Sequence, residues 1–137
     1  EFDTATASEL LLNGDSAMFY DCTIGSSSIE TQDIHPNVTL TNVVNQLRDC
    51  YFENCLFLAK CDDTDKVMVY ASTATAVERM VLFKSCTFYV NSLGGTKPGH
   101  SIGVTGLQTN GDVVIQDCAF MFVTRPAVAS KGIWMLG

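Results

Sequence analysis

Four short segments of this chain repeat one pattern of apolar and polar positions. They are Phe19-Tyr20-Asp21-Cys22-Thr23-Ile24, Phe52-Glu53-Asn54-Cys55-Leu56-Phe57, Phe83-Lys84-Ser85-Cys86-Thr87-Phe88 and Ile115-Gln116-Asp117-Cys118-Ala119-Phe120. Each reads large apolar, variable, Asp/Asn/Ser, Cys, variable, large apolar. The cysteines stand at 22, 55, 86 and 118. A near-constant spacing of roughly 32 residues is the mark of a repeat architecture. A second short apolar segment precedes each motif, at 10–12, 38–40, 67–70 and 102–104, and a fifth at 133–136 is expected to begin a coil that the chain does not finish.

The segments are short, rich in Val, Phe and Thr, and bounded by Gly, Asn and Asp, which predicts strands and not helices. Side chains of a strand alternate between two faces. With Phe19, Phe52, Phe83 and Ile115 inward, the next positions, Tyr20, Glu53, Lys84 and Gln116, face water. Asp21, Asn54, Ser85 and Asp117 then occupy a bend, where a short polar side chain bonds nearby backbone and tolerates left-handed φ. Past the bend the phase resets, so the four cysteines point in, followed two residues later by Ile24, Phe57, Phe88 and Phe120.

Equivalent strands stacked about 4.8 Å apart build columns of Cys on Cys and Phe on Phe that no coil could bury alone. The reading is therefore all-β: a right-handed parallel β-helix of about four coils with a repeat of roughly 32 residues, three short strands to the coil. WD40-type blades are longer and pair their strands antiparallel, and leucine-rich repeats would need a helical convex segment that the pattern lacks. The same register puts Glu53 and Lys84 on adjacent rungs, where they should pair, although an exposed ion pair contributes little.

Length and composition fit this picture. The 137 residues, 47% hydrophobic and 17% charged, suit one folded domain spanning 1–137. The start, Glu1-Phe2-Asp3, has no initiator Met and no signal-peptide character, so the chain is expected to be processed or a segment of a longer one. No apolar run is long enough for a transmembrane helix, and no membrane partner is expected. A formal net charge of −7, with its 15 acidic and 8 basic side chains thinly spread, leaves no footprint for a phosphate backbone, so nucleic acid is not an expected partner. The even count of six cysteines would suit a disulfide framework. Four of them sit in one repeated context, however, which predicts free thiols buried as small apolar groups. Cys50 and Cys55 are both read as core, on opposite sides of the bend.

Three of these stretches, Cys22-Thr23-Ile24-Gly25, Val81-Leu82-Phe83-Lys84-Ser85-Cys86-Thr87-Phe88 and Gly111-Asp112-Val113-Val114-Ile115-Gln116-Asp117-Cys118, resemble β-helix proteins encoded by tailed bacteriophages, several of them near capsid genes. The resemblance implies a virion protein that decorates or cements a capsid. Its partners would be virion proteins such as a major capsid protein, its location the virion assembled in the host cytoplasm. It supplies no catalytic residues to carry over.

Candidate chemistry is sparse. The outward positions after the bend read Leu56 and Leu58, Thr87 and Tyr89, Ala119 and Met121, an apolar stripe on an acidic protein, which suggests a contact surface or a strand covered by the chain's own loop. The stretch Gly132-Ile133-Trp134-Met135-Leu136 is apolar and is expected to meet further chain or a partner. The candidate interface is thus Leu56, Leu58, Tyr89, Met121, Trp134 and Met135, in a chain expected to be a homo-oligomer. Cys61-Asp62-Asp63-Thr64-Asp65-Lys66 gathers three carboxylates, but it lacks the Gly and distal Glu of a calcium loop and reads as a solvated turn.

Asp21 and Asp117 hold equivalent bends three rungs apart, about 14 Å by rung spacing, beyond either glycosidase geometry. His35 and His100 read as residues of unrelated loops, and no Cys-x-x-Cys pair or Gly-x-Ser-x-Gly elbow occurs. No cofactor or metal is expected, and the expected role is non-enzymatic. The alternatives are a carbohydrate-binding or carbohydrate-cleaving β-helix such as a tailspike fragment, with Tyr20, Tyr51 and Tyr89 stacking on sugars, and a bacterial surface adhesin domain.

Overall fold

The computed structural model describes residues 10–12, 16–30, 38–40, 47–61, 67–71, 77–92, 100–104, 111–121, 127–128 and 133–136. They form a right-handed parallel β-helix. Coil 1 contains β1 (Leu10–Leu12), β2 (Ser16–Tyr20) and β3 (Thr23–Glu30), and coil 2 contains β4 (Val38–Leu40), β5 (Leu47–Glu53) and β6 (Leu56–Cys61). Coil 3 contains β7 (Val67–Ala71), β8 (Val77–Lys84) and β9 (Thr87–Ser92), and coil 4 contains β10 (His100–Val104), β11 (Asp112–Gln116) and β12 (Ala119–Met121). β13 (Ala127–Val128) and β14 (Ile133–Leu136) add part of a further turn.

Three parallel sheets result: sheet 1 in the order β1-β4-β7-β10-β13, sheet 2 in the order β2-β5-β8-β11-β14, and sheet 3 in the order β3-β6-β9-β12. Every neighbour is one coil away in sequence. The repeat that organises the sequence is therefore the rung spacing of the sheets.

The corner between sheets 2 and 3 explains why the motif has its form. Asp21, Asn54, Ser85 and Asp117 have φ of 54°, 55°, 52° and 51°, a left-handed turn that redirects the chain in a single residue. Left-handed φ costs an ordinary L-residue about 1–2 kcal/mol, and residues with short polar side chains bear that cost best. Hydrogen bonds continue around the corner. The Asn54 amide donates to the Lys84 carbonyl (2.9 Å) and the Thr87 amide to the Cys55 carbonyl (2.9 Å), with equivalents in the other coils. At one position of the column a side chain joins in, the Asn54 amide group donating to the Asp21 carboxylate at 2.5 Å.

Inside the corner lie the two predicted columns. Phe19, Phe52 and Phe83 stack with centroids 4.9 and 5.1 Å apart, and Phe57, Phe88 and Phe120 at 4.6 and 5.0 Å, all within 9° of parallel. That spacing is imposed by the rungs, about 4.8 Å in any sheet. Between the columns the rings meet edge to face at 64–69°, the arrangement that the ring quadrupole favours. Phe52, Phe57, Phe83 and Phe88 are fully buried, and with Val69 and Ile102 of sheet 1 they belong to one continuous core.

The cysteines stand in the angle between the columns. Each thiol of coils 2 to 4 lies within reach of two carbonyls, that of the residue two before it and that of the inward aromatic one coil earlier. Cys86 reaches Lys84 at 3.4 Å and Phe52 at 3.3 Å, and Cys118 reaches Gln116 at 3.3 Å and Phe83 at 3.4 Å. The thiol thus fills a small apolar corner while acting as a weak donor across the rung. Cys22, Cys55, Cys86 and Cys118 are free, as their repeated context predicts, and so is Cys50, which is buried in the core; the side chain of Cys61 lies outside the described residues.

Two expectations are corrected. The segment Ile133–Leu136 does not open a fifth strand of sheet 1: it pairs with β11 in sheet 2, Val113 against Ile133, and the fifth strand of sheet 1 is Ala127–Val128. The last turn is short. Val81 and Val113 are a full repeat apart, whereas Ile133 follows Val113 by less than two thirds of one, so a reading by constant period assigns the segment to the wrong sheet. His100 is the first residue of β10, opposite Val67, and not a loop residue.

Candidate interaction surface

Sheet 3 carries the outward positions that the motif selected. In register across its strands run Thr23, Leu56, Thr87 and Ala119, and beside them Gly25, Leu58, Tyr89 and Met121. Leu56, Leu58 and Tyr89 are half-buried, and Met121 is 47% exposed. These four candidate residues therefore share one face. Coil 1 departs from the series: between Gly25 and Glu30 the register with β6 slips, and Gly25 takes a φ of 96° that a side chain would oppose. The smooth part of the stripe is thus the part built by coils 2 to 4.

Trp134 and Met135 do not join that face. They lie on β14 in sheet 2, opposite Val114 and Ile115 respectively, and their side chains lie outside the described residues. The six positions proposed from sequence divide between two sheets.

Sheet 2 carries a second apolar column, which the motif reading passed over. Met18, Tyr51, Leu82 and Val114 are in register on successive rungs, and Trp134 continues the register. Met18, Tyr51, Leu82 and Val114 alternate with the inward Phe19, Phe52, Phe83 and Ile115, so they stand on the outer face. Met18 is 57% exposed, and Tyr51, Leu82 and Val114 are half-buried. The signal was available in the residue before Phe19, Phe52, Phe83 and Ile115, which is apolar in all four repeats where simple alternation calls for a polar one.

Columns that are polar except at Met80 flank it. On one side stand Tyr20, Glu53, Lys84 and Gln116, and on the other Ser16, Asp49, Met80 and Asp112. The pairing expected between Glu53 and Lys84 is present at 2.7 Å. Arg48 also pairs with Glu78 at 3.2 Å, and Arg79 with Asp49. All three pairs join coil 2 to coil 3. The Glu53 carboxylate, by hydrogen bond and by charge, holds the Lys84 ammonium above its ordinary pKa.

Thiols at the corner are shifted in both directions. Burial pushes the Cys50 thiol up to about 12 and raises Cys55, while the neighbouring Cys118 thiol and burial together raise Cys86. A nucleophilic or metal-binding cysteine needs the opposite shift, which the half-buried Cys118 shows: its contact with the Cys86 thiol lowers it to about 7. Among the described residues no three His, Cys, Asp or Glu side chains converge on a point where a metal ion could sit, and no helix is long and apolar enough to cross a membrane. The acidic turn at 62–66, His35 and the glycine-rich stretch 94–99 lie outside the described residues. Asp21 and Asp117 stand at the first and fourth rungs of the bend column, with Asn54 and Ser85 between them, as their spacing in the sequence implies.

Comparison with protein-family models, with curated proteins and with solved structures finds no match to the chain.

Proposed function

We propose that this chain is a non-enzymatic virion structural protein of the capsid decoration or cement type, whose β-helix docks through sheet 3 on virion proteins such as a major capsid protein. The fold is compatible with scaffolding and with carbohydrate-active roles alike, and the balance between them rests on the surface. The observation that carries the reading is the outer face of sheet 3, where Leu56, Leu58, Tyr89 and Met121 form a continuous apolar track on a chain of net charge −7. Contiguous apolar area on an otherwise charged surface marks a contact site. Its regular rung spacing repeats the same contact from coil to coil, which suits docking on an ordered lattice of subunits. The likeness of three of its segments to phage β-helix proteins points the same way.

The carbohydrate reading has one feature in its favour: Tyr20 is 53% exposed, and an exposed ring is a platform for a sugar face. One experiment separates the two. Assembled particles purified from the source of this chain are imaged by electron cryomicroscopy and probed for the protein. Density for the β-helix against the capsid through sheet 3, lost on Met121→Lys, is the expected result. Particles that lack the protein, together with glycan binding weakened by Tyr20→Ala, would replace the proposal with the second reading.

A further inference from the structure

Among the three sheets, sheet 2 is the one whose described strands are rich in charges of both signs. Its strands carry Arg48, Arg79 and Lys84 against Asp49, Glu53, Glu78 and Asp112, a net charge of −1 within a chain of −7. Two copies of so acidic a protein repel one another. On the outer face of sheet 2 charges of the two signs nearly balance, so that repulsion is small there, and the face places an apolar column between flanks that are polar except at Met80, the anatomy of an interface core and rim.

The charges are also arranged with a symmetry. Each ion pair links a residue of coil 2 to one of coil 3. For two sheets face to face, related by a two-fold axis parallel to the strands and passing between coils 2 and 3, each residue of coil 2 lies opposite its rung partner from the other copy's coil 3. Glu53 then faces Lys84, Tyr51 faces Leu82 and Met18 faces Val114, each from one copy to the other, by the register of the sheet. Arg48 and Asp49 likewise approach Glu78 and Arg79. The face is complementary to itself, the condition for an isologous dimer. No rotation is needed to avoid a like-charge clash, since the pairing that stabilises one sheet is reproduced across the interface.

We infer that the outer face of sheet 2 is a two-fold self-association surface whose partner is a second copy of this chain. The surface is independent of the virion reading, which uses the opposite side of the bend. The four strands that face one another, of about six residues each, cover about 400 Å² on each copy, from the usual rise and strand spacing. Twice that area is below the roughly 1200 Å² at which stable complexes begin. The dimer is therefore weak and reversible.

The test is sedimentation velocity of the full chain over a concentration series, with far-ultraviolet circular dichroism to check that each variant is folded. The wild type is expected to pass from monomer to dimer. Tyr51→Glu alone and Leu82→Lys alone should each weaken the dimer at least tenfold. An equimolar mixture of the two should regain it, because the carboxylate introduced at 51 in one chain faces the ammonium introduced at 82 in the other while the second Tyr51–Leu82 contact stays apolar. Met18→Lys, at the most exposed position of the column, gives a milder loss and serves if a central variant does not fold. Met121→Lys, on sheet 3, should change nothing. A wild type that stays monomeric to about 1 mM, a mixture that stays dissociated, or a dimer lost on Met121→Lys would each overturn the inference.

Discussion

The bend of coil 3 and the bend of coil 4 have the same backbone and different surroundings. Ser85 and Asp117 have φ of 52° and 51°, and the cysteine after each reaches the same pair of carbonyls. Yet Cys86 and Phe88 are buried while Cys118 and Phe120 are only partly so. Coil 1 repeats the contrast: Phe19 and Cys22 are partly buried where Phe52 and Cys55 of coil 2 are fully so. Local sequence therefore fixes the turn, and neighbouring rungs fix the burial. A coil of this kind is an element whose stability is borrowed from the coils above and below, as in one-dimensional repeat proteins generally.

The largest test of that contrast removes a ring. Phe83→Ala deletes a side chain that stacks on Phe52 and meets Phe57 and Phe88 edge-on, and by analogy with other buried aromatics it should cost about 3–5 kcal/mol. Phe120→Ala loses one stacking partner, Phe88, at a partly buried site, and should cost roughly half as much. Urea denaturation of both variants measures the difference. Equal losses would show that the described outer coil is as well supported as the inner one.

Next in size is the corner itself. Ser85→Val places a β-branched residue at φ 52° and should destabilise by about 2 kcal/mol, whereas Ser85→Gly should stay within about 1 kcal/mol of the wild type. Because φ hardly varies along the column, Asp117→Val should cost nearly as much as Ser85→Val, unlike the ring deletions. The same denaturation curves decide whether backbone and packing separate in this way.

Alkaline pH probes the interior through the thiols. Cys50 is wholly buried, in register with Val81 and Val113, and its pKa is raised to about 12. A raised folded-state pKa means that the folded chain holds the proton more tightly than the unfolded one. The resulting stability is complete below the ordinary thiol pKa and is lost as pH rises from there towards the folded value. At pH 10 the loss is on the order of 1 kcal/mol for this thiol, by linkage. Cys50→Val, which extends the valine column, should remove that part of the fall in stability between pH 7 and pH 10. Alkylation followed by peptide mapping adds a qualitative check: Cys22 and Cys118 should react before Cys50, Cys55 and Cys86.

The parts legible from sequence were those that stacking forces to repeat. An inward ring must lie over an inward ring, and a left-handed corner over a corner, so Phe83, Ser85 and Cys86 announce themselves by their counterparts one period away. Glu53 and Lys84 were legible for the same reason, since they lie within the uninterrupted part of the register. The other two ion pairs were hidden by a slip between Leu47 and Asp49, which lengthens the offset to the next coil by a single position and sets Glu78 and Arg79 beside Arg48 and Asp49. A periodic reading cannot place residues within a bulge. The outer column of sheet 2 was missed for another reason. An exposed apolar position carries no geometric requirement of its own, and alternation leads one to expect polar residues there.

The smallest effect belongs to the pair that was easiest to foresee. Lys84 and Glu53 are both exposed, 40% and 42% by side chain, and solvent screening leaves such a pair little influence on folding. Its mark is instead on the proton: the Glu53 carboxylate raises the Lys84 pKa, so the pair's small contribution is complete below the ordinary lysine range and disappears as pH climbs through the raised value. Glu53→Gln should return Lys84 to ordinary behaviour in an NMR titration of its Nζ-adjacent protons, with no resolvable change in Tm at pH 7. Raising the salt concentration in the wild type should move the Lys84 titration the same way, because screening acts on exposed charges. A large loss of Tm on Glu53→Gln would mean that this outer column supports the stack as the buried rings do. The division between a cooperative interior and a nearly passive outer surface would then fail.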